Sequence, residues 1–156
     1  MKKTIIILLI ISVALTYAGC GREDKIFSFT AQEAAEKIVN DCSFELPTLT
    51  GYNPDPDDNT AFKYDFGIDP PEDISSAYGM SPKIGTIPFF IGIIILNDSK
   101  NAKDTALRIE NGIDRNKLVC ASYTVVKTSV NGNAIIVVCD TNPDRAKALV
   151  DAFNEI

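Results

Sequence analysis

The sequence predicts an α+β domain: an antiparallel or mixed sheet of about four strands with helices packed on one face. Three observations carry that reading. Segments of helical period are interleaved with β-branched runs in the order helix, short strand, strand, helix, strand, strand, helix. The run Ile87 to Leu96, "IPFFIGIIIL", is too short to cross a bilayer, which takes about 20 apolar residues. Its unbroken apolarity suits a central strand with both faces buried. Asn131-Gly132 separates two further apolar runs, a strong hairpin signal.

The first helix starts in "TAQEAAEKIVND", where Thr30 and Glu33 have the spacing of a capping box. Ala31, Ala34, Ala35, Ile38, Val39 and Cys42 recur at helical spacing behind it. "SFELPTLTGYNPDPDDNT" is rich in Pro, Asn, Asp and Gly and reads as a loop, and "AFKYDFGID" as a short strand. In "DPPEDISSAYG", Asp69 before two prolines, with Glu72 three positions on, has the form of a helix start. "NDSKNAKDTALRIENGIDRNK" follows the central strand as a helix, with Ala102, Ala106, Ile109 and Ile113 on one face. "TNPDRAKALVDAFNEI" is a last helix, capped at Thr141 or Asn142, with Ala146, Leu149, Val150 and Phe153 as its apolar stripe.

A two-residue turn at Asn131-Gly132 sets Thr128 opposite Ile135, Val126 opposite Val137 and Thr124 opposite Cys139. Alternation then assigns Thr124, Val126, Thr128, Ile135, Val137 and Cys139 to the helix-covered face. Tyr123, Val125, Lys127, Ile136 and Val138 fall on the other. With every helix spent on one face, that second face reads as an open apolar surface, and Tyr123, Val125, Ile136 and Val138 become candidate interaction residues. Cys120 lies about 13 Å along its strand from the position facing Cys139, beyond the separation of about 7 Å that a disulfide spans, so the two are not expected to bridge.

The chain begins "MKKTIIILLIISVALTYAGCGRED": a cationic start, an aliphatic run from Ile5 to Ala14, then small residues. This has the anatomy of a secretory signal peptide. Thr16 and Ala18 offer ordinary signal peptidase a small-x-small site. "YAGC" also resembles the bacterial lipobox, with Tyr17 where Leu is usual, and a cysteine placed where the apolar run ends favours this reading. The expected organisation is a signal peptide over residues 1–19, a lipid-anchored tether over 20–26 starting at Cys20, and one α+β domain over 27–156. The leader, "FKYDFGIDPPEDISSAYG", "FFIGIIILNDSKNAKDTALRIENGIDR" and the closing hairpin and helix together resemble small Firmicutes lipoproteins that carry an uncharacterised domain. That resemblance implies a cell-surface lipoprotein and assigns no activity.

Composition excludes several chemistries. The net charge is −6, and loss of residues 1–19 with Lys2 and Lys3 would take it to −8, so broad attraction to nucleic acid is not expected. With no histidine, Ser-His-Asp and Cys-His catalysis and His-ligated zinc are ruled out. Cys42, Cys120 and Cys139 form no C-x-x-C pair and read as core residues. Asp55, Asp57, Asp58 and Asn59 suggest oxygen ligands for calcium, but an EF-hand count from Asp55 puts Thr60 where Gly is needed and Phe66 where Glu is needed. Asp69, Glu72 and Asp73 have capping spacing rather than acid–base geometry, and Gly92 stands alone, so no phosphate loop is present. No catalytic residue, cofactor or metal is expected.

The sequence therefore supports a membrane-tethered lipoprotein on the extracytoplasmic face of the cell membrane, held through a lipid on Cys20. Its domain reads first as an interaction module for an envelope protein partner. A small-ligand-binding lipoprotein is the alternative, followed by a His-independent enzyme built on Asp, Glu, Lys, Ser or Cys. Mass spectrometry of the mature N-terminus should find a lipid-modified chain starting at Cys20. A chain starting at Gly19, or one retaining Met1, would contradict the lipoprotein reading.

Overall fold

The structure, a computed structural model, describes residues 26–156, so the signal peptide and Cys20 lie outside the described residues. The order of elements is α1 (Ala31–Asp41), β1 (Leu49–Tyr52), α2 (Asn59–Phe66), β2 (Ile74–Pro82), β3 (Phe90–Leu96), α3 (Ala102–Gly112), β4 (Val125–Asn131), β5 (Ala134–Asp140) and α4 (Pro143–Asn154). The α+β class is the one the sequence predicts. The sheet has five strands in the order β1-β2-β3-β5-β4, every neighbouring pair antiparallel.

The termini of α1 and α4 form as their sequences dictate. Thr30 Oγ1 accepts from the Glu33 amide at 3.2 Å, and Glu33 Oε2 accepts from the Thr30 amide at 2.9 Å, closing the capping box. The Thr30 amide, and the Thr30 hydroxyl at 2.9 Å, donate to that carboxylate and hold it below the usual carboxylate range. Asn142 Oδ1 accepts from the amides of Asp144 and Arg145 at 3.0 and 3.1 Å, with Pro143 opening the first turn of α4.

The segment between α1 and β3 departs from expectation in three places. "AFKYDFGID" is helical, not a strand. Asp58 Oδ1 caps α2 by accepting from Thr60 and Ala61 at 3.1 and 3.0 Å, and Gly67 ends it at φ +74° with its amide on the Lys63 carbonyl. Phe62 and Phe66, one turn apart and fully buried, stack at 4.7 Å. No helix starts at Asp69, whose carboxylate lies 3.3 Å from Lys63 Nζ. A turn from Pro71 to Ile74 instead leads into β2, which supplies β3 with a hydrogen-bonded neighbour on that side. Leu49–Tyr52, within the expected loop, forms the edge strand β1.

Every residue of β3 is buried, and the sheet is covered on both faces. Against one face pack Ala34, Ala35 and Ile38 of α1 and Ala146, Leu149 and Phe153 of α4, over Ile91, Ile93, Ile136 and Val138. Against the other pack Phe62 and Phe66 of α2 and Ala106 and Ile109 of α3, over Phe90, Ile94, Ile135 and Val137. Gly92 is the one β3 position with no side chain because Phe66 lies over it. A Cβ there would come 2.5 Å from the Phe66 ring.

Helices on both faces correct the expected one-sided cover, and with it the open apolar surface. Ile136 and Val138 are wholly inaccessible beneath α1 and α4, and Val125 is partly buried against the same cluster. Tyr123 precedes β4, its amide bonded to the Arg115 carbonyl, and so leaves the strand's alternation and joins the opposite cluster.

The hairpin closes one residue later than Asn131-Gly132 implied. Asn131 pairs with Ala134, so the loop is Gly132-Asn133, with Gly132 at φ +63° as a type II′ turn requires. Asn133 is drawn into the loop because its side chain is a buried tie: Oδ1 accepts from the Phe27 amide at 2.8 Å and Nδ2 donates to the Leu96 carbonyl at 2.6 Å. Cross-strand partners shift by two residues, Val126 now facing Cys139, but each side chain keeps its face. Cys42, Cys120 and Cys139 are all free thiols.

Ile136→Asp tests the two-sided cover. It buries an unpaired carboxylate under α1 and α4 and should cost more than about 4 kcal/mol by chemical denaturation. Native-like stability of that variant would mean that the face is open.

Candidate functional site

With both sheet faces filled, a concave surface of mixed chemistry lies at one end of the sheet. Tyr52 of β1, Ser81 and Pro82 of β2, Phe90 of β3, and Tyr64 and Asp65 of α2 border a cleft of about 210 Å³. The turn before β3 adds Gly85, Ile87 and Phe89, and the segment between α3 and β4 adds Lys117, Leu118 and Tyr123.

Lys117 is the organising side chain. Its ammonium donates to the Tyr64 carbonyl and, at 3.4 Å, to the Asp65 carbonyl. Both carbonyls belong to the last turn of α2, where backbone acceptors lack helical partners and the helix dipole favours a cation. The same Nζ lies 4.5 Å from the Tyr64 ring centroid, 5.6 Å from Phe90 and 5.7 Å from Tyr123, inside the range of cation–π attraction. One lysine thus ties α2, the centre of the sheet and the α3–β4 segment together.

The electrostatics follow from burial. Desolvation lowers the Lys117 pKa against the opposing pull of nearby acidic groups, Asp65 and Asp114 among them. Asp65, hydrogen-bonded to the Tyr52 side chain, is pushed above the ordinary aspartate value because burial outweighs both that bond and the Lys117 charge. Burial first, and acidic neighbours second, raise Tyr52 and Tyr123, so both phenols stay protonated donors at neutral pH. Cys139 lies close enough to feel Lys117 and Arg115, yet burial dominates and pushes its thiol up to about 12. A protonated thiol is a poor nucleophile.

Of the four interaction residues read from sequence, the structure brings only Tyr123 to this cleft; Val125, Ile136 and Val138 belong to the opposite core. Lys117, Tyr52, Tyr64 and Asp65 were not legible as a site, since they come from separate elements and share no spacing. The acidic loop serves folding: Asp58 caps α2 and Asp55 Oδ1 accepts from the Asp57 amide at 2.9 Å. Asp73 accepts from the Asn101 side chain at 3.1 Å beside a shallow polar hollow with Glu72, Asp104 and Arg108. Among the described residues no group of three or more Cys, Asp or Glu side chains is placed to hold a metal.

A second polar centre is structural. Asp140, fully buried, takes a bidentate pair from Arg145 at 2.7 and 2.6 Å and accepts from the amides of Thr141 and Asn142. Arg145 also reaches the Glu45 carbonyl at 3.2 Å and lies over the Phe89 ring at 5.4 Å. This joins β5, α4 and the α1–β1 loop.

No family model, curated protein or solved structure matches the chain.

The thiols give a direct check on these environments. At pH 8 a soluble thiol reagent should modify exposed Cys120 within minutes, while Cys139 reacts only after denaturation. Rapid labelling of Cys139 in the folded protein would contradict its placement beneath α2 and α3.

Proposed function

We propose that this protein is a lipoprotein tethered through Cys20 to the extracytoplasmic face of the cell membrane, and that its domain binds a small ligand in the cleft around Lys117. The observation that carries this reading is the cleft itself: aromatic walls with a desolvated ammonium and protonated phenols, the usual composition of a small-molecule site. The cleft also lies at the end of the sheet opposite the residue that follows the tether. Asn133 ties the Phe27 amide to the Leu96 end of β3, whereas the cleft opens at the Phe90 end, about 20 Å away along the strand. Residues 20–26 reach at most about 25 Å when fully extended. A lipid on Cys20 would therefore hold the Phe27 end of the domain within about 25 Å of the bilayer.

A protein partner is the second reading, favoured by one feature. Ile84 and Val119 are 61% and 99% exposed and directly adjoin the lining residues Gly85 and Leu118 in sequence. An envelope protein seated over the cleft mouth would cover them.

Two variants test the proposal. Cys20→Ser should release the protein from the membrane fraction. Gly85→Phe should set a ring at the rim of the cleft and obstruct it without disturbing the fold, because a Cβ at Gly85 meets no atom within 4 Å. In a small-molecule screen read by ligand-observed NMR, compounds bound by the wild-type chain should lose binding in Gly85→Phe at unchanged Tm. Retention of every such compound would contradict the cleft as the ligand site.

A further inference from the structure

Resting on the cleft being the ligand site, we infer that its ligand is a small carboxylate with a planar apolar body, the carboxylate meeting Lys117 and the body lying among Phe89, Phe90, Ile87 and Leu118. Three features select this class. First, an ammonium has three N–H bonds, and among the described residues two hydrogen-bond acceptors meet it, the carbonyls of Tyr64 and Asp65. An anion at the third donor would form a charge-assisted hydrogen bond in a partly desolvated setting. Second, the phenol of Tyr123 and the hydroxyl of Ser81 line the same cleft and can donate to a second anionic oxygen. Burial keeps that phenol protonated.

Third, the arrangement disfavours a cationic ligand. An aromatic cluster around Asp65 would otherwise suit an alkylammonium, but the rings of Tyr64, Phe90 and Tyr123 already surround the Lys117 ammonium within 6 Å. A second cation would compete for occupied rings and meet like-charge repulsion at close range. Asp65, for its part, is engaged by Tyr52 and drawn toward its neutral form by burial. The volume of about 210 Å³ is below that of sites for drug-sized molecules and fits a monosubstituted benzene.

The test compares three probes of one shape on the full chain by amide chemical-shift titration: phenylacetate, its neutral amide phenylacetamide, and phenethylammonium. Phenylacetate should shift the amides around Lys117, Tyr123 and Gly85 and bind about tenfold tighter than phenylacetamide, with phenethylammonium weakest. Lys117→Met should bring phenylacetate down to the affinity of the amide, and the wild-type ranking stands as the test even where that variant is less stable. Equal binding of carboxylate and amide, or preference for the ammonium, would overturn the anion assignment and leave the cleft as a ligand site. Absence of shifts at the cleft for all three probes, with a fragment screen also silent there, would overturn the cleft reading and this inference with it.

Discussion

The complete burial of β3 is the constraint on which the rest of the structure depends. A strand with apolar side chains on both sides cannot lie at the surface of a one-sided sheet, so both faces must be covered. The central position of β3 follows, with β2 and β5 satisfying its backbone on either side. The division of labour among helices follows as well: α1 and α4 on one face, α2 and α3 on the other. Each layer pairs one helix from the N-terminal half of the chain with one from the C-terminal half, so neither half can bury its apolar surface alone. The Lys117 cleft and the Asn133 tie lie at opposite ends of β3.

Local signals were sufficient wherever an element carried its own pattern. The capping box at Thr30 and Glu33, the Asn142-Pro143 start and the helical stripes of α1, α3 and α4 placed those helices correctly. The faces of the hairpin were also legible, because alternation survives a shift of two residues; the register was not. Gly132 alone takes the positive φ that the turn demands, and the buried bonds of Asn133 decide which residues occupy the loop. No sequence pattern announces those bonds, since their partners lie at Phe27 and Leu96.

The misread stretch between Asn59 and Pro82 has a different cause. "NTAFKYDF" is an eight-residue helix with a weak apolar stripe, and tertiary packing of Phe62 and Phe66 sustains it more than propensity does. Asp69 and its prolines imitate a helix start, but the following residues pair with β3, and long-range pairing overrode the local signal. The strand-like reading conceals α2 and the false helix start conceals β2; with α1 and α4 expected on the face that α3 covers, the second face reads as open. The site was illegible for the same reason. Lys117 matters because it reaches the end of a helix that the sequence reading had as a strand, and Tyr52 and Asp65 meet only once β1 and α2 exist.

The seal on β3 from both sides is the feature that the whole architecture serves. Native-state hydrogen exchange addresses it most directly. The amides of Ile91 to Ile95 and Ile135 to Val138 should exchange only through global unfolding, with a free energy equal to that from denaturant titration. Exchange of these amides through partial openings well below the global value, driven by detachment of α1 and α4 or of α2 and α3, would contradict it.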